Sequence, residues 1–330
     1  MAGKQSSSSS TITKKSENGN GLILYQSYAS YYCQKVVFAL NEKKIKYKSR
    51  LVDLNIGEQL EPWFIKLNPK SEVPVLQDGV KIIPDSRRII DYLEDNFSNG
   101  NTPRLIPEKG SPQYHIMERM RDLLDNLPIQ LVTYGCVLHQ ELTGQIEYSP
   151  QEVKVKQGIH ATQERLLNDL IGKYRDFKDY YLVKKSGLDK IRAMIADPNE
   201  VVKAVLDVEY ALNTVEKELA THQGDKKDWW LCSDKFTIAD ISLCILLHRC
   251  QKIGLIDKFF QPAGSFPNLR RYYQRVQQRD SYRCATARGT GFLRKFRSLE
   301  SKEQALVTIG GVAVVLAAAG IATFLVHRSK

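Results

Sequence analysis

The segment Asn68 to Leu76, NPKSEVPVL, and the segment Asp85 to Glu94, DSRRIIDYLE, decide how the first third of the chain folds. The first runs on through VPVLQDGVKIIP, which reads as two short strands around a turn at Asp78-Gly79. The second places Ile89, Ile90 and Leu93 at helical spacing behind a capping residue, Asp85 or Ser86. Upstream, Leu22 to Tyr25 is an apolar run, Val36 to Leu40 belongs to an amphipathic helix, and Lys46 to Leu54 alternates like a strand. The order is βαβ followed by ββα. It predicts a mixed four-stranded sheet with helices packed against it.

The rest of the chain has a different periodicity. Residues 112 to 141, 150 to 183 and 199 to 220 repeat at helical spacing, most cleanly through Val201, Val205, Val208, Leu212, Val215 and Leu219. In FTIADISL, Thr237 and Asp240 form a capping box before an apolar helix, a structural signal. The expected class is therefore α/β followed by all-α. Boundaries are expected at 21–100 for the sheet domain and 101–290 for the helical domain.

Both ends differ from this globular part. Residues 1–20 carry a serine run and no apolar block, and they read as a disordered tail. From Ala305 to Val326 no residue is charged, and a helix of that length matches a hydrocarbon core of ~30 Å. Only the short basic tail 327–330 follows, so the span must insert after synthesis, as a tail anchor. Arg288, Arg294, Lys295, Arg297 and Lys302 precede it, with 291–304 as a basic juxtamembrane segment. They continue the series Arg270, Arg271, Arg275, Arg279 and Arg283. Such cations are drawn to anionic headgroups and keep the preceding domain cytosolic. With 48 basic against 37 acidic residues the chain carries +11, and the anchor directs that excess to anionic lipid. No base-reading motif accompanies the charge, so nucleic acid is not an expected partner. Small residues at Gly310, Gly311, Ala313 and Ala317 would let two anchors pack closely.

The six cysteines are scattered and follow no secretory signal, which fits a reducing compartment. Cys244, His248 and Cys250 lie on one apolar helix without a fourth ligand at sensible spacing, and no metal is expected there.

The element order and the residues NPKSEVPVL and DSRRIIDYLE resemble the thioredoxin-like domain of the glutathione transferase superfamily, followed by its helical domain. The interval from about 140 to 200 is longer than an ordinary transferase needs. This insert, EPWF at Glu61 to Phe64 and the carboxy-terminal span together resemble the ganglioside-induced differentiation-associated protein family. That resemblance implies a single-pass, tail-anchored protein of the mitochondrial outer membrane, with the peroxisomal membrane as a further location. It also implies a role in mitochondrial fission and network dynamics and in redox homeostasis, a homodimer, and protein partners that the sequence does not identify. No resident cofactor is implied; glutathione and a hydrophobic ligand would be the bound molecules.

Carried over residue by residue, the resemblance makes Pro74 a cis-proline that exposes the Val73 backbone to the cysteinyl part of glutathione. Asp85 and Ser86 would hold the γ-glutamyl end. Among the reactive groups of YASYYCQKV, the register implied by Lys35 puts Ser30 at the sulfur-activating position. A serine there also caps a helix, and the two readings stand side by side. Cys33 is the weaker candidate, since no second cysteine completes a Cys-x-x-Cys pair. Tyr25 and Tyr28 read as packing. Glu72 departs from the Gln, Lys or Arg that many transferases place before the Val-Pro. A carboxylate there repels glutathione's glycyl carboxylate and predicts poor affinity.

Overall fold

The computed structural model describes residues 21–98, 102–261 and 265–287. The tail at 1–20, the basic segment 291–304, the span at 305–326 and the tail 327–330 lie outside them. No helix among the described residues is long and apolar enough to cross a membrane.

The amino-terminal domain has the expected order. Strand β1 (Leu22–Gln26) leads into α1 (Tyr31–Glu42) and β2 (Lys48–Leu51). The β3 (Val75–Asp78) and β4 (Lys81–Pro84) hairpin then leads into α3 (Ser86–Asn96), and the sheet order is β2-β1-β3-β4. β1 runs parallel to β2 and antiparallel to β3, whose hairpin with β4 turns at Gly79 with φ 59°. The strand-like alternation from Lys46 to Leu54 yields only four residues of ladder, Lys48–Leu51, at the edge of the sheet. One helix was not expected: α2 (Pro62–Leu67), begun by Pro62 at its first position, where a missing N–H costs nothing. It buries Phe64 and Ile65.

The helical domain comprises α4 (Pro112–Asp125), α5 (Ile129–Leu138), α6 (Pro150–Lys173), α7 (Lys178–Ala196), α8 (Pro198–Ala220), α9 (Ile238–Lys252), α10 (Leu255–Phe260), α11 (Pro267–Val276) and α12 (Asp280–Thr286). Two of the long periodic stretches are divided. Residues 112 to 141 break before Ile129, where Pro128 cannot donate to a continuing helix. Residues 150 to 183 break at the short 3-10 turn Arg175–Phe177. The stripe from Val201 to Leu219 is buried throughout. Asp240, fully buried, accepts from the Thr237 N–H at 2.7 Å and its hydroxyl at 2.6 Å, and also from the Leu231 N–H and the Tyr272 hydroxyl.

The insert is not a free arm. α6 and α7 form a hairpin whose Leu167, Leu170 and Tyr181 share a core with Leu60 and Ile65 of the sheet domain. Tyr181 donates to the Leu60 carbonyl at 2.8 Å and Tyr174 to Glu61 at 2.6 Å. The segment Leu60 to Ile65, which contains EPWF, is thus where the insert docks, with Glu61 the EPWF residue that bonds it. Part of the carboxy-terminal arginine series is also consumed internally. Arg275 and Arg279 cover the Trp230 ring at 3.5 and 4.8 Å, and Arg279 holds Glu42 with two bonds, at 2.8 and 2.7 Å. Both arginines thus pack on an aromatic ring, and Arg279 also forms an ion pair.

Candidate functional site

Strand register gathers the expected site residues. Tyr25 pairs with Val75, and Val75 pairs with Pro84. The end of β1, the start of β3 and the end of β4 therefore lie side by side. Ser30, four residues beyond β1, joins Val73-Pro74 just before β3 and Asp85-Ser86 just after β4. The Val73-Pro74 bond is cis.

Ser30 is the N-cap of α1: its Oγ accepts the Cys33 N–H at 3.3 Å, and its hydroxyl also hydrogen-bonds the Cys33 thiol. Cys33 turns inward among Val52, Phe64, Val73 and Val75, and burial pushes its thiol up to about 12 despite hydrogen bonds from Ser30 and Ser27. A thiol so placed is neither a nucleophile nor an exchange partner at neutral pH. Asp85 caps α3 at φ 79°, a backbone conformation that strains any residue with a Cβ. Its Oδ1 accepts from the N–H groups of Arg87 and Arg88 at 2.9 and 3.1 Å, so the helix end already holds a carboxylate. Ser86 follows, buried. Tyr25 bonds to Gln77 at 2.9 Å and packs against Trp63 and Phe64; Tyr28 lies exposed at the edge of the cleft described below.

Tyr32 reaches into this end, half-exposed. Partial burial raises its hydroxyl pKa, and the carboxylates of Glu72 and Asp85 raise it further. Asp125 adds to this rise and Arg249 opposes it. Asp125 belongs to a charge network that the sequence did not reveal. Lys35 is buried and paired with Asp125, which also accepts from Ser242 at 2.7 Å and lies 3.7 Å from Arg121. Arg121 in turn binds Asp91 at 2.6 Å and the Arg87 carbonyl at 3.2 Å. Burial alone would raise the Asp125 carboxyl, but the Lys35 ammonium overcomes this and holds it below the usual range. The network fastens α1, α3, α4 and α9 together and leaves Lys35 no freedom to reach a ligand.

The insert closes one side of the site. Tyr180 is hydrogen-bonded to Ser71, and Lys184 to the Lys70 carbonyl, in the loop immediately before Val73. Burial lowers the Lys184 pKa, while Glu72 draws it upward and Lys70 opposes that. No sequence signal links positions more than a hundred residues apart. On the other side a cleft of about 430 Å³ opens between the β1–α1 loop, the start of α6 and the end of α9. Tyr28 and Ala29 line it, whereas Ser30, Pro74, Asp85 and Ser86 do not.

Comparison with known proteins agrees with this architecture. Residues 24–102 match the glutathione S-transferase N-terminal domain and residues 204–275 its C-terminal domain. Over 272 residues the chain is 35% identical to the human ganglioside-induced differentiation-associated protein 1-like 1, covering 79% of this chain and 72% of that protein. Over 154 residues it is 32% identical to a probable maleylacetoacetate isomerase from Vibrio cholerae, covering 44% of this chain and 68% of that one. Among solved structures, glutathione transferase F7 from Populus trichocarpa superposes with a TM-score of 0.55 at 15% identity, over 81% of this chain and 98% of that one. The β-etherase LigF from a Sphingobium strain gives 0.54 at 20% identity, over 80% and 98%.

Proposed function

Because the chain belongs to the ganglioside-induced differentiation-associated family of glutathione-transferase-like proteins, we propose that it acts at the mitochondrial outer membrane, mainly as an anchored scaffold or sensor. In this reading residues 305–326 are the anchor and the folded part faces the cytosol. Its role is in mitochondrial network dynamics, fission and redox homeostasis. One observation carries the preference for a scaffold: the candidate thiol-activating groups at the glutathione end are already engaged within the protein or raised in pKa. Ser30 caps α1, Cys33 is pushed up to about 12, and Tyr32 is raised between Glu72 and Asp85. α8 meanwhile displays Val202, Leu206 and Tyr210 on its outer face at successive four-residue steps, an apolar stripe suited to a protein partner.

The second reading is an active transferase in which the Ser30 hydroxyl turns from Cys33 to donate to the glutathione sulfur, for attack on a hydrophobic electrophile. The cis Val73-Pro74 bond and the place of Ser30 at a helix start favour it. Titration calorimetry of the full-length chain in nonionic detergent separates the two. The scaffold reading expects no heat from glutathione at physiological concentration. Clear binding that disappears in Ser86→Ala would establish the transferase site instead.

A further inference from the structure

Four lysine or arginine side chains are buried among the described residues, and the fold supplies carboxylates to three of them. Lys35 has Asp125, Lys43 has Glu94 at 2.6 Å, and Arg121 has Asp91. The fourth, Arg249, is 7% exposed and has no carboxylate oxygen within 4.0 Å among the described residues. Its guanidinium donates to Thr133 Oγ1 at 3.2 Å and to the Ala29 carbonyl at 3.0 Å, both neutral acceptors, and lies 5.8 Å from the centre of the Tyr31 ring. A charge removed from water and left without a counter-charge is costly, and proteins keep such groups where a ligand supplies the opposite sign.

Arg249 lines the 430 Å³ cleft beside the β1–α1 loop. A second unmatched group lines the same cleft. Gln34 is 9% exposed, and no donor among the described residues reaches its Oε1. The remaining charged wall is mostly basic. Lys156 stands over the rings of Tyr148 and Tyr134 at 4.5 and 5.7 Å, and Lys252 is bound to Glu147 at 2.7 Å. The acid in the lining, Glu152, is folded back on Ser149 in the capping box of α6. A buried cation, a buried acceptor and a second cation on the same wall complement a ligand that carries both an anion and O–H donors. A phosphate monoester suits Arg249 and Lys156 together, because its several oxygens can accept from the guanidinium fork and from an ammonium at the same time.

We propose that this cleft binds a small hydroxylated phosphomonoester, with its phosphate held by Arg249 and Lys156 and a hydroxyl donating to Gln34. The inference is independent of glutathione binding, since Ser30, Pro74, Asp85 and Ser86 are not in the lining. The site still touches the neighbouring end of the sheet: Arg249 holds the carbonyl of Ala29, the residue before Ser30.

The test is titration calorimetry of the full-length chain in nonionic detergent with glycerol 3-phosphate, inorganic phosphate, succinate and glycerol as probes. Glycerol 3-phosphate should bind at about 1 mM or tighter, inorganic phosphate more weakly, and glycerol not at all. Arg249→Gln, which can still donate to Ala29, should weaken glycerol 3-phosphate by about tenfold or more. Lys156→Met, which leaves the β1–α1 loop untouched, should weaken it several-fold and repeats the test if Arg249→Gln fails to fold. Gln34→Leu should weaken glycerol 3-phosphate several-fold and leave inorganic phosphate unchanged. Absence of glycerol 3-phosphate binding, equal affinity in Arg249→Gln and Lys156→Met, or stronger binding of succinate would each overturn the proposal.

Discussion

Replacing Asp125 by alanine isolates the charge that joins the two domains. Lys35 and Asp125 have side chains 3% and 11% exposed, and alanine also removes the acceptor of Ser242 and the neighbour of Arg121. Breaking one side of a buried pair leaves an uncompensated ammonium, at ~3–5 kcal/mol. An independent ceiling follows from proton release. Burial already lowers the Lys35 pKa, and shedding the proton at pH 7 costs at most ~1.4 kcal/mol for each of the ~3.4 units below lysine's usual value, or ~5 kcal/mol. The expected loss is therefore ~3–5 kcal/mol, read by urea unfolding with the fluorescence of Trp63, Trp229 and Trp230. Lys35→Met combined with Asp125→Leu should recover most of it, because an apolar pair of similar volume owes no desolvation penalty. The pH dependence has a definite sign. Asp125 has a depressed folded pKa, so its contribution is present above the unfolded carboxylate range near ~3.9 and is lost as pH falls through the lower folded value. The gap between wild type and Asp125→Ala should therefore be flat from pH 5 to 7 and close in acid. It should also narrow above pH 8, as the stranded lysine deprotonates at less cost. A loss under ~1 kcal/mol, or a double variant as unstable as the sum of its parts, would refute the reasoning.

Three further outcomes are expected. A thiol reagent at pH 7.5 should titrate one cysteine rapidly, the exposed Cys284; Cys33 and Cys136, both pushed up to about 12 by burial, should react only on unfolding, and a second fast thiol would contradict their placement. Tyr180→Phe removes the hydrogen bond to Ser71 and should raise amide exchange about tenfold in residues 60–72 and 174–188, corresponding to ~1–1.5 kcal/mol, while the sheet stays protected; unchanged exchange would mean that the insert is held by its apolar contacts alone. A fluorescent protein fused to residues 298–330 should collect on mitochondria, and an endoplasmic reticulum pattern would sink the assigned location.

Much of the fold was legible because it rests on local rules. Val73-Pro74 and Asp85-Ser86 mark a strand start and a helix cap, Thr237 and Asp240 mark another cap, and the stripe from Val201 to Leu219 marks a buried helix face. Each is set by backbone geometry or burial within a few residues. The breaks before Ile129 and after Lys173 were missed because periodicity continues across a short turn.

The sequence alone thus determined the sheet order's raw materials, the helical second half and the positions of Ser30, Pro74, Asp85 and Ser86. Only the tertiary structure decided what those residues can do. It turned Cys33 inward, set Glu72 and Asp85 about Tyr32, and fastened Tyr180 and Lys184 beside the cis-proline loop. It also left Arg249 buried in an apolar helix without a carboxylate in ion-pair reach among the described residues. The reason is physical: a group's charge state and reach depend on solvent exposure and on partners brought close by folding. Arg249 and Ala29 are 220 positions apart in the chain and 3.0 Å apart in the protein.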